Sequence, residues 1–456
     1  VTMKWWDDLW LNESFANMME YVAVDALEPT WHAWETFQTL EVPRALQRDA
    51  TDGVQSVHVH VENPAEIAAI FDSAIVYAKG SRMLVMVRSL IGDDALRKGL
   101  KNYFAKHHYG NATGADLWQA LEDASGQKIG SIMDSWLEQP GYPVVTAAVV
   151  DGQLTLSQKQ FFIGAGKDEG RLWQIPLQGN YEETPTIMNE ATIQLGDYQT
   201  LRQNNGKAFR LNVGNNSHFI VKYDDTLMAD LLSEADSYDA ISQLQIIQDM
   251  RLLAEGRQIS FAEVLPLLRR FANSQSAIVI SGLYRLANDL QQFVSADSTE
   301  EKNLQTFFGE LSAEQVERLG FANRASDTAD DLVIRPEVLK AALYAQNKAA
   351  LAGVHELFVA NQANLAALPA EVRALVLTNE VKNFGNAELF DQLLTTYAKS
   401  SDASFKADIQ VALTSTTDEQ FIGQIIVALE NADIIKPQDL RAWVPALLNN
   451  DASQQA

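Results

Sequence analysis

The sequence predicts a multidomain, mainly α-helical protein with a small β-sandwich between two helical regions. Apolar residues recur at helical spacing over residues 1–142 and again over residues 226–456, whereas those of residues 143–225 alternate with a period of two. A length of 456 residues corresponds to about three domains of ordinary size. We therefore expect three domains with these bounds.

Residues 1–142 are predicted to be mainly helical because several segments place apolar residues on one helical face. Asn12 is the expected N-cap of the first helix, and Gly and Asp residues separate the later ones. Five of the nine tryptophans lie within the first 34 residues. Such a density of aromatic side chains indicates either the middle of a large core or the wall of a cleft.

Short strands are predicted for residues 143–225. Leu154 and Leu156 alternate with polar residues after an Asp-Gly pair that suits a hairpin turn. Two further alternating segments, 209–213 and 219–223, flank a Gly-Asn-Asn turn. Several short strands separated by turn signals predict an antiparallel β-sandwich.

Residues 226–456 show amphipathic helix patterns separated by short polar breaks, with no strand-like run between them. Helices that follow one another at this spacing bury their apolar faces by stacking in pairs. We therefore expect an α-helical superhelix of stacked helix pairs, although no repeated sequence motif is present.

Composition excludes several classes of partner and chemistry. Lys and Arg number 35 against 60 Asp and Glu, a net charge of −25, which disfavours nucleic acid and anionic membrane surfaces as partners. The absence of cysteine rules out disulfides, thiolate metal sites and cysteine nucleophiles within this sequence, and it favours a cytoplasmic location. No run of about 20 apolar residues predicts a membrane span. Nothing indicates the oligomeric state.

The most specific stretch surrounds Glu13. This carboxylate falls in the first turn of a predicted helix and is flanked by large apolar residues, and Asn17 and Glu20 follow on the same face. Polar groups on an otherwise apolar helix lose hydration unless they find a partner. The alternative is that Glu13 compensates the helix dipole while the other two face solvent.

The run WWDDLWLNESFANMMEY resembles the segment that carries the third zinc ligand in the aminopeptidase N family, the gluzincin zinc metallo-aminopeptidases. Their motif is HExxH-x18-E, in which two histidines and the last glutamate bind zinc. The resemblance implies that Glu13 is this last ligand and that residues 1–142 are the helical remainder of a thermolysin-like catalytic domain. Only 12 residues precede Glu13. We therefore expect a fragment that starts after HExxH. Residues 449–456 have the pattern of a helix N-cap with no helix after it, which predicts truncation at the C-terminus too; the alternative is a complete protein with frayed ends.

A second match follows in the family's order. The segment from Phe71 to Ser81 resembles the family segment with a Tyr-x-Lys-Gly core. The resemblance implies that the phenol of Tyr77 donates a hydrogen bond to the oxyanion of the tetrahedral intermediate. Alone, this motif would favour an ordinary core tyrosine, but its position 64 residues after Glu13 (77 − 13) makes the match specific. The runs at 139–144 and 212–224 resemble the two ends of the family's sandwich, although Lys222 stands where Asn is common.

Glu20 and the pair His58 and His60 each have a functional and a structural interpretation. The resemblance implies that Glu20 orients a zinc-bound histidine, and a surface salt bridge explains it equally well. His58 and His60 would lie on one side of a strand, and with Glu13 they would supply three metal ligands. Nothing in their spacing makes them converge on Glu13.

By resemblance, the parent protein is a zinc-dependent aminopeptidase that hydrolyses N-terminal residues from peptides, and its cofactor is zinc. The fragment retains one of three metal ligands, so it is predicted to bind no zinc and to be inactive alone. The competing hypothesis is a helical-repeat protein-binding scaffold with no enzymatic activity. A related zinc hydrolase with a non-peptide substrate is a third possibility. The preference for the N-terminal residue cannot be predicted.

Overall fold

The computed structural model describes residues 1–454 and divides the chain into two compact units. The first unit comprises Val1–Leu265 and the second comprises Pro266–Ala456. Both are mainly helical, as the sequence predicts, and each contains a cluster of buried apolar side chains. The first unit also contains every strand found in the described part of the chain.

The helices of the first unit range from 8 to 18 residues. They are α1 (Trp10–Leu27), α2 (Ala33–Asp49), α3 (Gly80–Ile91), α4 (Asp93–His107), α5 (Gly114–Ser125), α6 (Gly130–Leu137), α7 (Tyr198–Asn205), α8 (Asp225–Ser233) and α9 (Ala240–Glu255). A π-helical turn, Ser73–Lys79, leads directly into α3. The first helix begins before Asn12, which lies inside it, so the predicted N-cap is wrong.

The strands form three small sheets. They are β1 (Thr2–Met3), β2 (Asn111–Ala112), β3 (Pro143–Val150), β4 (Gln153–Gln160), β5 (Ile175–Pro176), β6 (Ile187–Met188), β7 (Thr192–Asp197) and β8 (Ile220–Tyr223). The largest sheet has the order β7-β4-β3-β8, and β1 pairs with β2 and β5 with β6. The predicted hairpin is confirmed: β3 and β4 pair antiparallel through the turn at Asp151 and Gly152.

Two predictions for the β region need correction. The sheet is not wholly antiparallel, because β8 pairs with β3 in parallel, Val145 opposite Val221. Residues 209–213 form no strand, although Phe209 and Leu211 are buried. Asn212 has φ of 52°, and this left-handed backbone interrupts the extended conformation that a ladder requires.

The second unit consists of consecutive helices with short connections. They are α11 (Ala277–Asp289), α12 (Thr299–Leu319), α13 (Ala329–Tyr344), α14 (Lys348–Asn361), α15 (Ala370–Phe384), α16 (Ala387–Lys399), α17 (Ala403–Thr414), α18 (Glu419–Leu429) and α19 (Leu440–Leu448), preceded by α10 (Leu265–Phe271) at the unit boundary. Helices α11, α13, α15, α17 and α19 pack in a row, each against the next, and α12, α14 and α16 pack beside them. This arrangement agrees with the predicted stacking of helices.

None of the helices within residues 1–454 is both long enough and apolar enough to cross a membrane.

Candidate active site

The start of α1 is fixed by aromatic packing. Trp10 is buried and stacks on Trp118 of α5, with ring centroids 5.2 Å apart and planes inclined by 12°. Its indole Nε1 donates to Oδ1 of Asp8 at 3.1 Å. Glu13 lies half-buried in the first turn of this helix, where the helix dipole favours a carboxylate. The aromatic residues of this stretch therefore place Glu13 on a rigid element.

Tyr77 lies in the π-helical turn, a rare conformation that occurs frequently at functional sites. Asp72 caps the turn, because its Oδ1 accepts from the amide of Ala74 at 2.9 Å. The other oxygen of Asp72 binds Nε of Arg48 in α2 at 2.8 Å. Tyr77 itself is half-buried, so its phenol keeps some access to solvent.

Helix α1 binds this turn directly. The hydroxyl of Ser14 donates to the carbonyl of Val76 at 2.6 Å. The side-chain Nδ2 of Asn17 donates to the carbonyl of Tyr77 at 3.4 Å and to Oγ of Ser81 at 3.1 Å. The two elements approach so closely that a Cβ on Gly80 would lie 1.9 Å from Oγ of Ser14. Glycine at position 80 is thus required by the contact between α1 and the turn.

The structure brings Glu13 and Tyr77 together. They are 64 residues apart in sequence (77 − 13), yet the Glu13 carboxylate lies close enough to the phenol to shift the pKa of Tyr77. Burial, followed by the interaction with the nearby, negatively charged carboxylate of Glu13, raises the pKa of Tyr77 to about 12. The phenol is therefore protonated at neutral pH and available as a hydrogen-bond donor.

Glu20 is exposed on α1 and lies about 10 Å further along the helix axis than Glu13, at 1.5 Å per residue. It does not join Glu13 and Tyr77.

The two histidines considered as alternative metal ligands do not approach Glu13 either. Residues 57–61 form no strand; Nδ1 of His58 lies 2.9 Å from Glu138, and Nδ1 of His60 lies 3.2 Å from Asp7. Across residues 1–454, no group of three or more His, Cys, Asp or Glu side chains is arranged to hold a metal ion. A site that combines these histidines with Glu13 is excluded, and Glu13 alone does not provide the three protein ligands of a catalytic zinc.

Sequence reasoning missed a buried cluster next to the Tyr77 turn. The ammonium of Lys79 is completely buried and lies 2.9 Å from Oδ2 of Asp49, the last residue of α2. The same carboxylate oxygen lies 3.0 Å from Nε2 of His218, and Oδ1 accepts from the amide of Gly141 at 2.9 Å. Lys79 was visible as part of the Tyr-x-Lys-Gly motif, but no local pattern distinguished Asp49 or His218.

The charges in this cluster follow from burial and contact. Burial alone would raise the pKa of Asp49, but Lys79 and His218 outweigh it and lower that pKa below its ordinary value. Burial lowers the pKa of His218 to about 4. His218 is therefore neutral at pH 7 and donates its Nε2 proton to Asp49, since an ionised carboxylate only accepts. The cluster thus holds one anion and one cation, Asp49 and Lys79.

Comparison with known proteins gives the family. Residues 1–136 match the model of the Peptidase family M1 domain, and residues 208–456, more than half of the chain, match the model of the ERAP1-like C-terminal domain. The chain belongs to peptidase family M1.

This M1 chain is similar over its whole length to bacterial proteins named aminopeptidase N. It is 58% identical to that of Lactobacillus helveticus and 47% identical to that of Lactococcus lactis subsp. cremoris, and in each case it covers 54% of the relative. Over 96% of its length it is 31% identical to aminopeptidase M1 of Arabidopsis thaliana, of which it covers 52%. The chain therefore spans about half the length of the curated relatives it matches.

Proposed function

We propose that this chain is part of a zinc-dependent aminopeptidase that hydrolyses N-terminal residues from peptides, and that it supplies the third zinc ligand, Glu13, and an oxyanion donor, Tyr77. One observation carries the proposal: a carboxylate and a phenol 64 residues apart in sequence lie close together, and both side chains are only partly buried. Membership of family M1 and similarity to proteins named aminopeptidase N support it.

The residues of this chain do not fit zinc by themselves. Glu13 offers one ligand, whereas a catalytic zinc takes three protein ligands in a fixed geometry. We propose that the two missing imidazoles come from an HExxH segment of a longer protein, in agreement with the 54% coverage of the relatives. Residues 1–456 alone are then expected to retain no zinc and to have no aminopeptidase activity.

The role proposed for Tyr77 depends on a protonated phenol. A neutral donor aimed at the oxygen on which negative charge develops stabilises a tetrahedral intermediate of acyl transfer. Ser14 and Asn17 of α1 bind the carbonyls of Val76 and Tyr77, so the donor needs little reorganisation during the reaction. Glu20 is proposed to orient one of the missing imidazoles; its exposure leaves it accessible to a segment outside this chain.

For the longer protein we propose three domains in this part: residues 1–142 as the end of the peptidase domain, 143–225 as a β-sandwich and 226–456 as a helical superhelix. The strands between residues 143 and 223 and the stacked helices after residue 265 support this division. Peptides are the proposed substrates. The lack of cysteine supports a cytoplasmic location.

A zinc titration tests the first part of the proposal. The chain alone is mixed with increasing zinc and an amino-acid p-nitroanilide, and we expect no release of p-nitroaniline. Turnover that disappears on chelation would show that the chain carries a complete site and would refute the division of ligands between two segments.

The second test uses a longer polypeptide in which an HExxH segment precedes this chain. Tyr77→Phe should lower kcat by roughly 10²–10³-fold with little change in KM, because it removes a donor that acts mainly in the transition state. Glu13→Gln should abolish zinc retention, measured by metal analysis. Tyr21→Phe is the matched control, since Tyr21 also donates its phenol to a glutamate, Glu41, at 3.3 Å. An unchanged kcat in Tyr77→Phe would contradict the role of the phenol.

A further inference from the structure

Lys79 connects the Tyr77 turn to two distant parts of the first unit. Its ammonium binds Asp49 at 2.9 Å and the carbonyls of Gly141 and Gln139 at 3.1 and 3.4 Å. These three acceptors match the three N–H groups of an ammonium, so the buried cation is fully satisfied. We propose that Lys79 is a positioning residue, whose buried ion pair with Asp49 holds the Tyr77 turn against the helix that carries Glu13.

The geometry supports this role because the turn is held from two directions. On one side, Ser14 and Asn17 of α1 bind the carbonyls of Val76 and Tyr77. On the other side, only two residues further along the chain, Lys79 is bound to Asp49 and to the loop at 139–141. The phenol of Tyr77 projects from a segment whose backbone is fixed between these anchors.

The π-helical conformation makes such anchoring necessary. A π-helix is uncommon and appears mostly as a single turn inserted next to an α-helix, so local propensity does not maintain it. This turn passes directly into α3 at Gly80, where a regular α-helical path is available. The contacts of Lys79 fix the C-terminal end of the turn and thereby select the wider conformation that places Tyr77 opposite Glu13.

Stability alone does not account for the pair. Apolar residues of similar volume often replace a buried ion pair without loss of stability, because desolvation consumes most of the electrostatic attraction. An ion pair, unlike apolar packing, is directional, because each N–H group must point at a particular oxygen. The proposal therefore predicts that an apolar replacement preserves folding but displaces Tyr77. Its catalytic consequence rests on the proposed function of Tyr77.

The test places 3-fluorotyrosine at position 77 of the whole chain and records its ¹⁹F resonance. Lys79→Met leaves Asp49 buried without its cation and can impair folding. The double variant Lys79→Met with Asp49→Asn removes both charges, so it should fold, as checked by circular dichroism and thermal unfolding. We expect this folded double variant to give a displaced or a second resonance at position 77.

Two controls separate positioning from general destabilisation. Arg335→Met removes a completely buried cation from the second unit, where Arg335 pairs with Asp327, and should leave the resonance at position 77 unchanged. A 3-fluorotyrosine at position 397, also in the second unit, should be unaffected by the double variant. If the folded double variant gives the wild-type resonance at position 77, the positioning role of Lys79 is wrong.

An activity measurement distinguishes this proposal from the proposed function. In the longer polypeptide with an HExxH segment, the double variant should lower kcat at least tenfold and leave KM within about twofold, because a shift of about 1 Å in a reacting group costs up to 10²-fold in rate. A displaced resonance with unchanged kcat in both the double variant and Tyr77→Phe would leave the positioning intact and refute the function of the phenol. An unmoved resonance, with kcat lowered only in Tyr77→Phe, would refute the positioning alone.

Discussion

The two units differ in the distance along the chain that their buried polar contacts cover. In the first unit, Asp49 binds His218 across 169 residues, and Gln38 binds Asn215 across 177. In the second unit, the buried Arg335 binds Asp327 only 8 residues away, and the buried indole of Trp443 donates to Tyr397 across 46. Buried polar contacts in the first unit thus join segments that are remote in sequence, whereas those in the second unit join segments that are near in sequence.

The difference follows from what stabilises stacked helices and from what a chemical site requires. Stacked helices draw their stability from each repeat and its neighbours, so they need no contact between distant segments. A chemical site, in contrast, needs groups held within fractions of an ångström, and the two groups of the proposed site come from positions 13 and 77. We propose that the remote contacts of the first unit help to hold Glu13 and Tyr77 in place.

We expect the largest loss of stability when the Asp49 carboxylate, which binds both Lys79 and His218, is removed. Asp49→Ala leaves Lys79 buried without its counter-ion, which should cost about 3–5 kcal/mol of unfolding free energy. Hydrogen–deuterium exchange should accelerate in all three segments that Asp49 joins, around residues 79, 141 and 218.

The matched variant in the second unit is Asp327→Ala, which removes the carboxylate partner of Arg335. Arg335 keeps Asn323 at 2.7 Å and the carbonyl of Leu319. Faster exchange should therefore be confined to α12, α13 and the loop between them. If hydrogen exchange accelerates over equally distant segments in both variants, the two units do not differ in how far their buried polar contacts reach along the chain.

Ile409→Ala tests the second unit from its apolar core. Ile409 is completely buried in α17, which packs against α15, α16 and α19. The cavity should cost about 3 kcal/mol and accelerate exchange in those helices. Val411→Ala on the same helix, where Val411 is 48% exposed, should change stability by less than about 0.5 kcal/mol. Acceleration of the same size in α1 to α9 would show that the two units unfold as one.

The sequence predicted the helical regions and the β3–β4 hairpin because their signals are local. Helical periodicity and an Asp-Gly turn are both read within a few residues. Residues 209–213 also alternate, yet they form no strand: the amides of Leu211 and Asn212 bind the phenol of Tyr223 and the carbonyl of Leu177. Alternation indicates which side chains are buried and does not specify the partner of the backbone.

The same limit applies to the candidate site. Glu13 and Tyr77 were predicted from motifs whose residues are contiguous, and the structure brings these two side chains together. Asp49 and His218 have no motif, because their importance comes from a contact between residues 169 apart. A single sequence carries no direct signal for such a pairing.

A smaller and pH-dependent effect should come from His218. Burial lowers its pKa to about 4 in the folded chain, against an ordinary value of 6.5. Between these values the unfolded chain binds a proton that the folded chain does not, so stability falls as the pH decreases from about 6.5 to 4. The shift of 2.5 pH units corresponds to about 3 kcal/mol at the acidic limit and to less at intermediate pH.

Urea unfolding followed by tryptophan fluorescence measures this effect in the first unit, which holds eight of the nine tryptophans. His218→Gln keeps a side-chain donor for Asp49 but does not titrate. The other six histidines are common to both proteins and cancel in the difference. We expect the wild type to lose more stability than His218→Gln between pH 6.5 and 4.5; parallel curves would contradict a buried neutral imidazole.

The smallest effects come from one substitution made in both units, and they should have opposite signs. Gly80→Ala places a Cβ 1.9 Å from Oγ of Ser14 and should cost about 1–3 kcal/mol through overpacking. Gly423 lies in α18, and beyond its neighbours and the backbone of its own helix no atom lies within 4 Å of its would-be Cβ, so Gly423→Ala should gain about 0.5–1 kcal/mol from helix propensity. Thermal unfolding with circular dichroism measures both.

A second, compensating substitution tests whether the contact with α1 causes the loss of stability in Gly80→Ala. Adding Ser14→Gly to Gly80→Ala removes the side chain that the new methyl group would strike, and should recover part of the lost stability. Recovery remains incomplete because the hydrogen bond from Ser14 to the carbonyl of Val76 is lost as well. If Gly80→Ala is as harmless as Gly423→Ala, helix α1 and the Tyr77 turn are not in close contact in solution, and the first unit is no more tightly closed than the second.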